Sequence, residues 1–389
     1  MKNIFCLLFL PIIILLYNCG GKLSGFDEKK NIILLSNQIV YDGYDSEATA
    51  VLNAMSYLGY NVNEALICGG GGIINFAFHE SAFPFIGIKN ERMIEVFFEG
   101  AGIKWSGRIN TGNKKSWELI ITKLKEGIPV VLRVDVRYLS HRFGGKYGSK
   151  LSSYGMHYVT LFGLDFKNKK AFISDAGYTN IIAISFNDLD RARYSFTQAF
   201  PPYGEFYWIE KKPDNFNLNL NNILSNSLRA IVKGYERPKK QDLSDLKTYY
   251  GLEGIENLSK EIVNIEKFVN MDVFLPSVFY GFWYYIEKLD TKGSANRKIL
   301  KEYLIEINKR LMDKKIDNMI KKLSLCIDNW QTLSEEFFNI SQTITNYRER
   351  YERKALYDKA GAIADEVARE ERDFYLLLKE YIGVRENVR

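Results

Sequence analysis

The pattern of hydrophobic and polar positions divides the chain into stretches of different character. Residues 4–16 form an almost unbroken apolar run behind a short start. Residues 31–213 mix short apolar runs with turns, which is typical of an α+β fold. Residues 214–389 show mainly the spacing of long helices. We therefore predict an α+β domain followed by a mainly α-helical domain, behind a targeting segment (residues 1–18) and a polar tether (residues 19–30).

The α+β part contains one clear helix signal and several strand signals. Residues 46–58 have helical spacing, with Asp45 or Ser46 as the N-cap and Gly59 closing the helix. Runs rich in β-branched and aromatic residues predict strands at residues 31–36, 129–135, 157–163, 171–175, 181–186 and 206–209. The third and fourth of these runs are separated by a short polar segment, which predicts that they pair as a hairpin.

The second half of the chain reads as a set of helices. The helical spacing covers residues 221–232, 274–289, 296–322 and 327–381, with one or two breaks in the last two stretches. Phe279, Trp283 and Ile286 recur at the spacing of one helix face, and we expect them to lie in a core.

The N-terminal run predicts export. Its 13 apolar residues reach about 20 Å as a helix, which is too short for a hydrocarbon core of about 30 Å, so the run is a signal segment. It ends in Leu16-Tyr17-Asn18-Cys19-Gly20, which resembles a bacterial lipobox. The resemblance implies that Cys19 carries acyl chains and binds the protein to a membrane surface. A plain secretory signal with an incidental cysteine is the alternative.

Composition narrows the possible partners. The 53 Lys and Arg residues exceed the 47 Asp and Glu residues by only six, and no dense basic block occurs, so nucleic acid is not an expected partner. The three His and four Cys residues do not follow any metal-site spacing, and we predict no metal and no cofactor. The sequence neither requires nor excludes a disulfide between Cys68 and Cys326.

Three residues are candidates for an acyl-transfer site. Ser46 begins a predicted helix, where free N–H groups stabilise negative charge. His157 begins a predicted strand, and Asp175 ends the next one, so pairing of these strands would bring imidazole and carboxylate together. The alternative is structural: a capping serine, a packed histidine and a turn aspartate.

Several segments resemble a known family. Residues 45–60 and 63–72 look like the opening of the butirosin biosynthesis protein H N-terminal family, and matches continue in the same order at residues 127–139, 157–165, 174–175 and 188–193. In the second half, residues 251–258, residues 293–297 and Trp330 are similar to the helical domain of unknown function that usually follows. The resemblance covers nearly the whole chain after the targeting segment.

The resemblance implies a papain-like fold, related to bacteriocin-processing cysteine peptidases, with a Cys–His–Asp site. The family's namesake moves an acyl group from a carrier protein onto an aminoglycoside amine. Carried onto this chain, the resemblance makes His157 the base and Asp175 the residue that orients it. Ser46 stands at the family's cysteine position, and Asp45 stands at the preceding histidine position.

Those two departures leave two hypotheses for function. A serine does not form a thiolate-like ion pair with histidine, so it must lose its proton during attack, and the charge of Asp45 opposes that step. The first hypothesis is an exported acyltransferase or hydrolase that acts on an amide or (thio)ester. The second is a catalytically degenerate surface lipoprotein that binds a small molecule, peptide, glycan or protein partner.

Other residues have weaker claims to a site. Cys68 falls at the end of an apolar run, which we interpret as a strand. For its thiol, a buried structural role is the favoured interpretation. The run Gly69–Gly72 allows either a close approach to a ligand or a tight turn. His79 and Asp135 could line a cleft, but a structural role is favoured for each.

Overall fold

A computed structural model describes residues 32–386, except 109–111, 150–152, 197–199, 239, 242–246, 268, 270–271 and 345–349. The predicted signal segment and tether, including Cys19, lie outside the described residues. Within them, no helix combines the length and apolar character needed to cross a membrane. The predicted fold class is confirmed: the chain is an α+β protein with a sheet in its N-terminal part and a mostly helical C-terminal part.

The main sheet is antiparallel and carries the residues at 157 and 175. Its strands are β1 (Ile32–Leu34), β4 (Trp105–Arg108), β5 (Val130–Val134), β6 (His157–Asp165), β7 (Lys170–Asp175), β8 (Ile182–Ser185) and β9 (Phe206–Ile209). The order is β4-β9-β5-β6-β7-β8, with β1 beside the far end of β6. Every residue of β6 is buried, as its near-continuous apolar sequence requires. The predicted hairpin pairing of β6 with β7 is confirmed.

Helix α1 (Ser46–Tyr57) packs on this sheet against β6 and β7. Its buried face includes Ala48, Ala50 and Ala54, whose small side chains let the helix lie close to the strands. At the contact, the Thr160 hydroxyl donates a hydrogen bond of 2.6 Å to the Ala50 carbonyl. The helix therefore starts at the predicted residue, with its first turn beside the strands that carry the candidate site.

A second sheet joins the two halves of the chain. Strands β2 (Ile74–Glu80) and β3 (Phe85–Lys89) pair with β11 (Lys247–Tyr250), and β10 (Lys240–Gln241) follows, in the order β10-β11-β2-β3. The sequence analysis did not predict this sheet. The remaining helices of the N-terminal part are α2 (Glu64–Gly70), α3 (Met93–Ala101), α4 (Asn113–Lys125) and α5 (Phe186–Arg193).

The second half consists mainly of helices. They are α6 (Leu220–Tyr235), α7 (Gly251–Ile262), α8 (Leu275–Glu287), α9 (Arg297–Leu311), α10 (Lys314–Thr343) and α11 (Arg350–Glu386). Phe279 and Ile286 are fully buried, and Trp283 packs partly buried against the same core, so the predicted aromatic core is confirmed. The predicted break between residues 322 and 327 is wrong. The chain breaks instead at Met312, whose left-handed backbone (φ 51°) ends α9.

Candidate active site

His157 and Asp175 meet because of the register between β6 and β7. Val159 lies directly opposite Asp175, and His157 is two residues from Val159, so it projects from the same face of the sheet. The imidazole Nε2 and the carboxylate Oδ1 are 2.6 Å apart, with both side chains almost completely buried. The structure thus brings together two of the three residues that the sequence indicated.

Asp175 also binds two residues that the sequence analysis missed. His141 and Arg142 lie in a short 3-10 helix, Ser140–Phe143. His141 Nε2 is 2.7 Å from Asp175 Oδ2, and Arg142 donates to both carboxylate oxygens at 2.7 and 2.6 Å. Burial raises the pKa of Asp175, but the contact with His157 and the hydrogen bonds from His141 and Arg142 outweigh burial and hold this pKa well below its usual range. Asp175 is therefore an ionised carboxylate, which only accepts hydrogen bonds.

This arrangement determines which nitrogen of each imidazole is basic. Because an ionised carboxylate only accepts, His141 and His157 both donate to it from Nε2, and a neutral ring then carries its lone pair on Nδ1. Nδ1 of His157 makes no hydrogen bond to any residue that the structure describes. His157 therefore presents an oriented base. Among the described residues, no group of three or more His, Cys, Asp or Glu side chains is arranged to hold a metal ion.

Ser46 lies at the start of α1 but does not complete a hydrogen-bonded triad. Its side chain is 1% exposed, and within the described parts of the chain its hydroxyl makes no hydrogen bond, including with His157. Asp45 is the N-cap of the helix and accepts from the Ala48 amide at 2.8 Å. The Ser46 amide donates to Oδ1 of Asp290, at 3.3 Å, which comes from the second half of the chain.

The surroundings of Ser46 are rich in acidic groups. Lys89 pairs with Asp45 at 2.6 Å and with Glu47 at 3.4 Å. Burial raises the pKa of Glu47 to about 7, despite the nearby charge of Lys89. Burial likewise raises the pKa of Glu64 to about 7, although its carboxylate accepts from the Asp45 amide at 2.8 Å. Near neutral pH these two glutamates are therefore partly protonated, which moderates the negative charge beside Ser46.

The remaining candidates make contacts within the fold. The strand interpretation of Cys68 is wrong, because Cys68 lies in α2, where Asn63 caps the helix by accepting from the Leu66 amide. Burial raises the pKa of Cys68 well above its usual value, so it remains a protonated thiol. Cys68 and Cys326 are both free thiols, so they do not form a disulfide with each other. His79 is 2.9 Å from the Thr248 hydroxyl across the second sheet.

The glycine run after Cys68 serves packing rather than a ligand. A β-carbon at Gly69 would lie 2.2 Å from the Tyr303 ring, and one at Gly71 would lie 2.2 Å from the Met93 carbonyl. Gly72 has a left-handed backbone (φ 63°) that forms the turn into β2. Asp135, at the end of β5, accepts from Ser153 at 2.6 Å and from the Tyr154 amide at 3.0 Å, which holds a neighbouring loop.

Fold and site together define an α+β protein with an imidazole–carboxylate pair at one end of its main sheet and a serine at the adjoining helix start. Residues 45–176 match the family model described as butirosin biosynthesis protein H, N-terminal, and residues 187–378 match a domain of unknown function, DUF4872. The chain therefore has the domain architecture that the resemblance implied. A search of curated proteins found no match. Ser46, His157 and Asp175 fall within the first matched region, and Asp290 within the second.

Proposed function

We propose that this protein catalyses acyl transfer or hydrolysis at an amide or (thio)ester, on a papain-like N-terminal part. Ser46 is the nucleophile, His157 the general base and Asp175 the residue that orients the imidazole. The observation that carries the proposal is the 2.6 Å contact between His157 Nε2 and Asp175, which leaves Nδ1 available as a base.

The reaction follows from these roles. Ser46 Oγ attacks the carbonyl carbon of the substrate while its proton passes to Nδ1 of His157. The protonated imidazole then gives this proton to the leaving amine, alcohol or thiol, and the acyl group stays on Ser46. Water or an acceptor amine attacks the acyl-serine while His157 takes its proton, and His157 then gives this proton to Ser46 Oγ as the acyl–oxygen bond breaks. The first step requires that the Ser46 hydroxyl approach His157, because the two are not hydrogen-bonded in this structure.

A second candidate function is binding without catalysis. The buried, unbonded hydroxyl of Ser46 and the acidic groups around it favour this candidate. In this case the protein binds a small molecule, a peptide, a glycan or a protein partner, and His157 and Asp175 stabilise the fold.

Covalent capture distinguishes the two candidates. We expect a fluorophosphonate probe, which reacts with activated serines, to label the wild-type chain stoichiometrically on the peptide that contains Ser46, and Ser46→Ala to abolish the labelling. Ser174→Ala is the matched control, because Ser174 is also a buried serine with an unbonded hydroxyl and precedes Asp175 in β7. The control should label like wild type. Labelling that persists in Ser46→Ala, or a folded wild type that is not labelled, would remove the catalytic role.

We also propose that the chain is exported and attached to a membrane surface through acylated Cys19. The apolar run of residues 4–16 and the lipobox-like segment support this proposal. Bacteria that express the chain should incorporate labelled palmitate into wild type and into the control Cys6→Ala, but not into Cys19→Ala. Equal labelling of the wild type and Cys19→Ala would contradict the anchor.

A further inference from the structure

Asp290 reaches the candidate site from the helical half of the chain. It lies in the loop between α8 and α9, and its Oδ1 accepts the hydrogen bond from the Ser46 amide at 3.3 Å. This amide is the first of α1, where the unpaired N–H groups of a helix carry partial positive charge. In acyl transfer by a serine, the amide of the nucleophile is a common donor to the carbonyl oxygen as that oxygen becomes negative. Asp290 Oδ1 therefore accepts from a donor that this chemistry would use.

The loop around Asp290 is held in an unusual conformation. Four of its non-glycine residues have left-handed backbones: Asp290 (φ 47°), Ser294 (φ 50°), Ala295 (φ 49°) and Asn296 (φ 70°). Such conformations persist where surrounding contacts impose them, and they cluster at functional sites. In this loop, the amides of Gly293 and Asn296 donate hydrogen bonds to Thr291 Oγ1, at 3.0 and 3.2 Å. Two hydrogen bonds to the Thr291 hydroxyl thus hold the loop that carries Asp290.

The charge of Asp290 opposes the chemistry proposed for Ser46. Burial raises the pKa of Asp290, and Asp45 raises it further, while Lys89 and His157 act against this rise. The residue as a whole is half-buried. While ionised, it repels both a deprotonating Ser46 and a negative substrate oxygen. The Ser46 hydroxyl is buried and makes no hydrogen bond to the described residues, Asp290 included.

We propose that Asp290 regulates this site: its carboxylate occupies the oxyanion position in the free protein, and an acyl substrate displaces it. The proposal rests on the proposed function of Ser46. It gives the helical half a direct role, since this half supplies the group that keeps the N-terminal site closed. The ligand at that position is thus a carbonyl or carboxylate oxygen, which competes with Asp290 for the Ser46 amide.

The rate at which the fluorophosphonate probe labels Ser46 tests the proposal, once labelling of the wild type is established. We expect Asp290→Ala, which empties the position, and Asp290→Asn, which removes only the charge, to raise the labelling rate of Ser46 by about 10-fold or more. Glu302→Gln is the control, because it removes the Glu302–Lys292 ion pair of the same loop (2.5 Å) without touching Ser46. The control should keep the wild-type rate. Slower or unchanged labelling in both Asp290 variants would overturn the proposal.

A second measurement does not depend on catalysis by the serine. In a Ser46→Cys background, the pH profile of iodoacetamide alkylation at position 46, read by peptide mass spectrometry, reports the pKa of the introduced thiol. Adding Asp290→Asn should lower the midpoint by about one pH unit, because a negative neighbour is removed. If Asp290 has a purely structural role, the midpoint of the alkylation profile should not change, and this result would contradict the inference. Absence of probe labelling on Ser46 contradicts the proposed function instead. Failure of the proposed function and failure of the Asp290 inference are therefore distinguishable.

Discussion

Asp175→Asn should reduce the rate of acylation at Ser46 by about 10³- to 10⁴-fold, the size of effect expected when a triad carboxylate becomes an amide. An asparagine has one acceptor oxygen and one NH₂ donor, whereas Asp175 accepts from His157, His141 and Arg142. An imidazole that faces the NH₂ group must carry its lone pair on Nε2, so its proton moves to Nδ1. His157 then no longer presents a base to Ser46. Probe labelling or turnover of an amide or ester substrate measures the loss.

The acid stability of the same variant provides a second readout. The pKa of Asp175 is depressed, since the contact with His157 and the hydrogen bonds from His141 and Arg142 outweigh burial. A carboxyl with a depressed pKa stabilises the fold above its unfolded pKa of about 3.9 and loses this contribution as the pH falls. Asp175→Asn should therefore be less stable at pH 7 and show a weaker loss of stability towards acid.

Asp165→Asn is the matched control for the rate. Asp165 lies on β6 with His157, but at the opposite end of the same strand pair, where it accepts from the Asn168 amide at 2.9 Å. It should leave the rate at Ser46 within about twofold of wild type. Equal losses of rate in the two variants would show that Asp175 acts only through the fold.

The parts of the site that lie close together in sequence could be predicted. The helix at Ser46 has local signals in its capping residues and in the closing Gly59, and the structure begins α1 at that residue. His157 and Asp175 are separated by 18 residues, and a hairpin between two apolar runs was enough to bring them together. Short-range patterns therefore predicted the pair, since turn and strand signals specify the register over this distance.

The parts that depend on distant residues could not be predicted. Asp290 is 244 residues from Ser46, and no local pattern links a loop between two helices to a helix start so far away. The second sheet was not predicted for the same reason, because β2 pairs with β11 from the other half of the chain. Cys68 shows a local error: its apolar run reads as a strand, but the cap at Asn63 and the packing of Gly69 against Tyr303 favour a helix.

A buried ion pair connects the Asp290 loop to the core of the helical half. Arg297 and Glu371 are both fully buried, and the guanidinium donates to the carboxylate at 2.8 and 3.2 Å. Glu371 also accepts from Trp330 Nε1 at 2.7 Å and from the Tyr235 hydroxyl. On its other side, Arg297 donates to the Ala295 carbonyl at 2.6 Å, inside the left-handed stretch of the loop. The same guanidinium therefore satisfies the core carboxylate and the strained backbone.

Glu371→Gln should lower the free energy of unfolding by about 3–5 kcal/mol, because it leaves the Arg297 charge buried without a counter-ion. Chemical denaturation followed by circular dichroism measures this change. Glu302→Gln is the control: its ion pair with Lys292 is partly exposed, so its loss should cost about 0–1 kcal/mol. A Glu371→Gln variant as stable as the control would show that the buried pair does not hold the loop. A large loss, together with faster alkylation of a Ser46→Cys thiol in the folded variant, would show that this pair keeps Asp290 at the site.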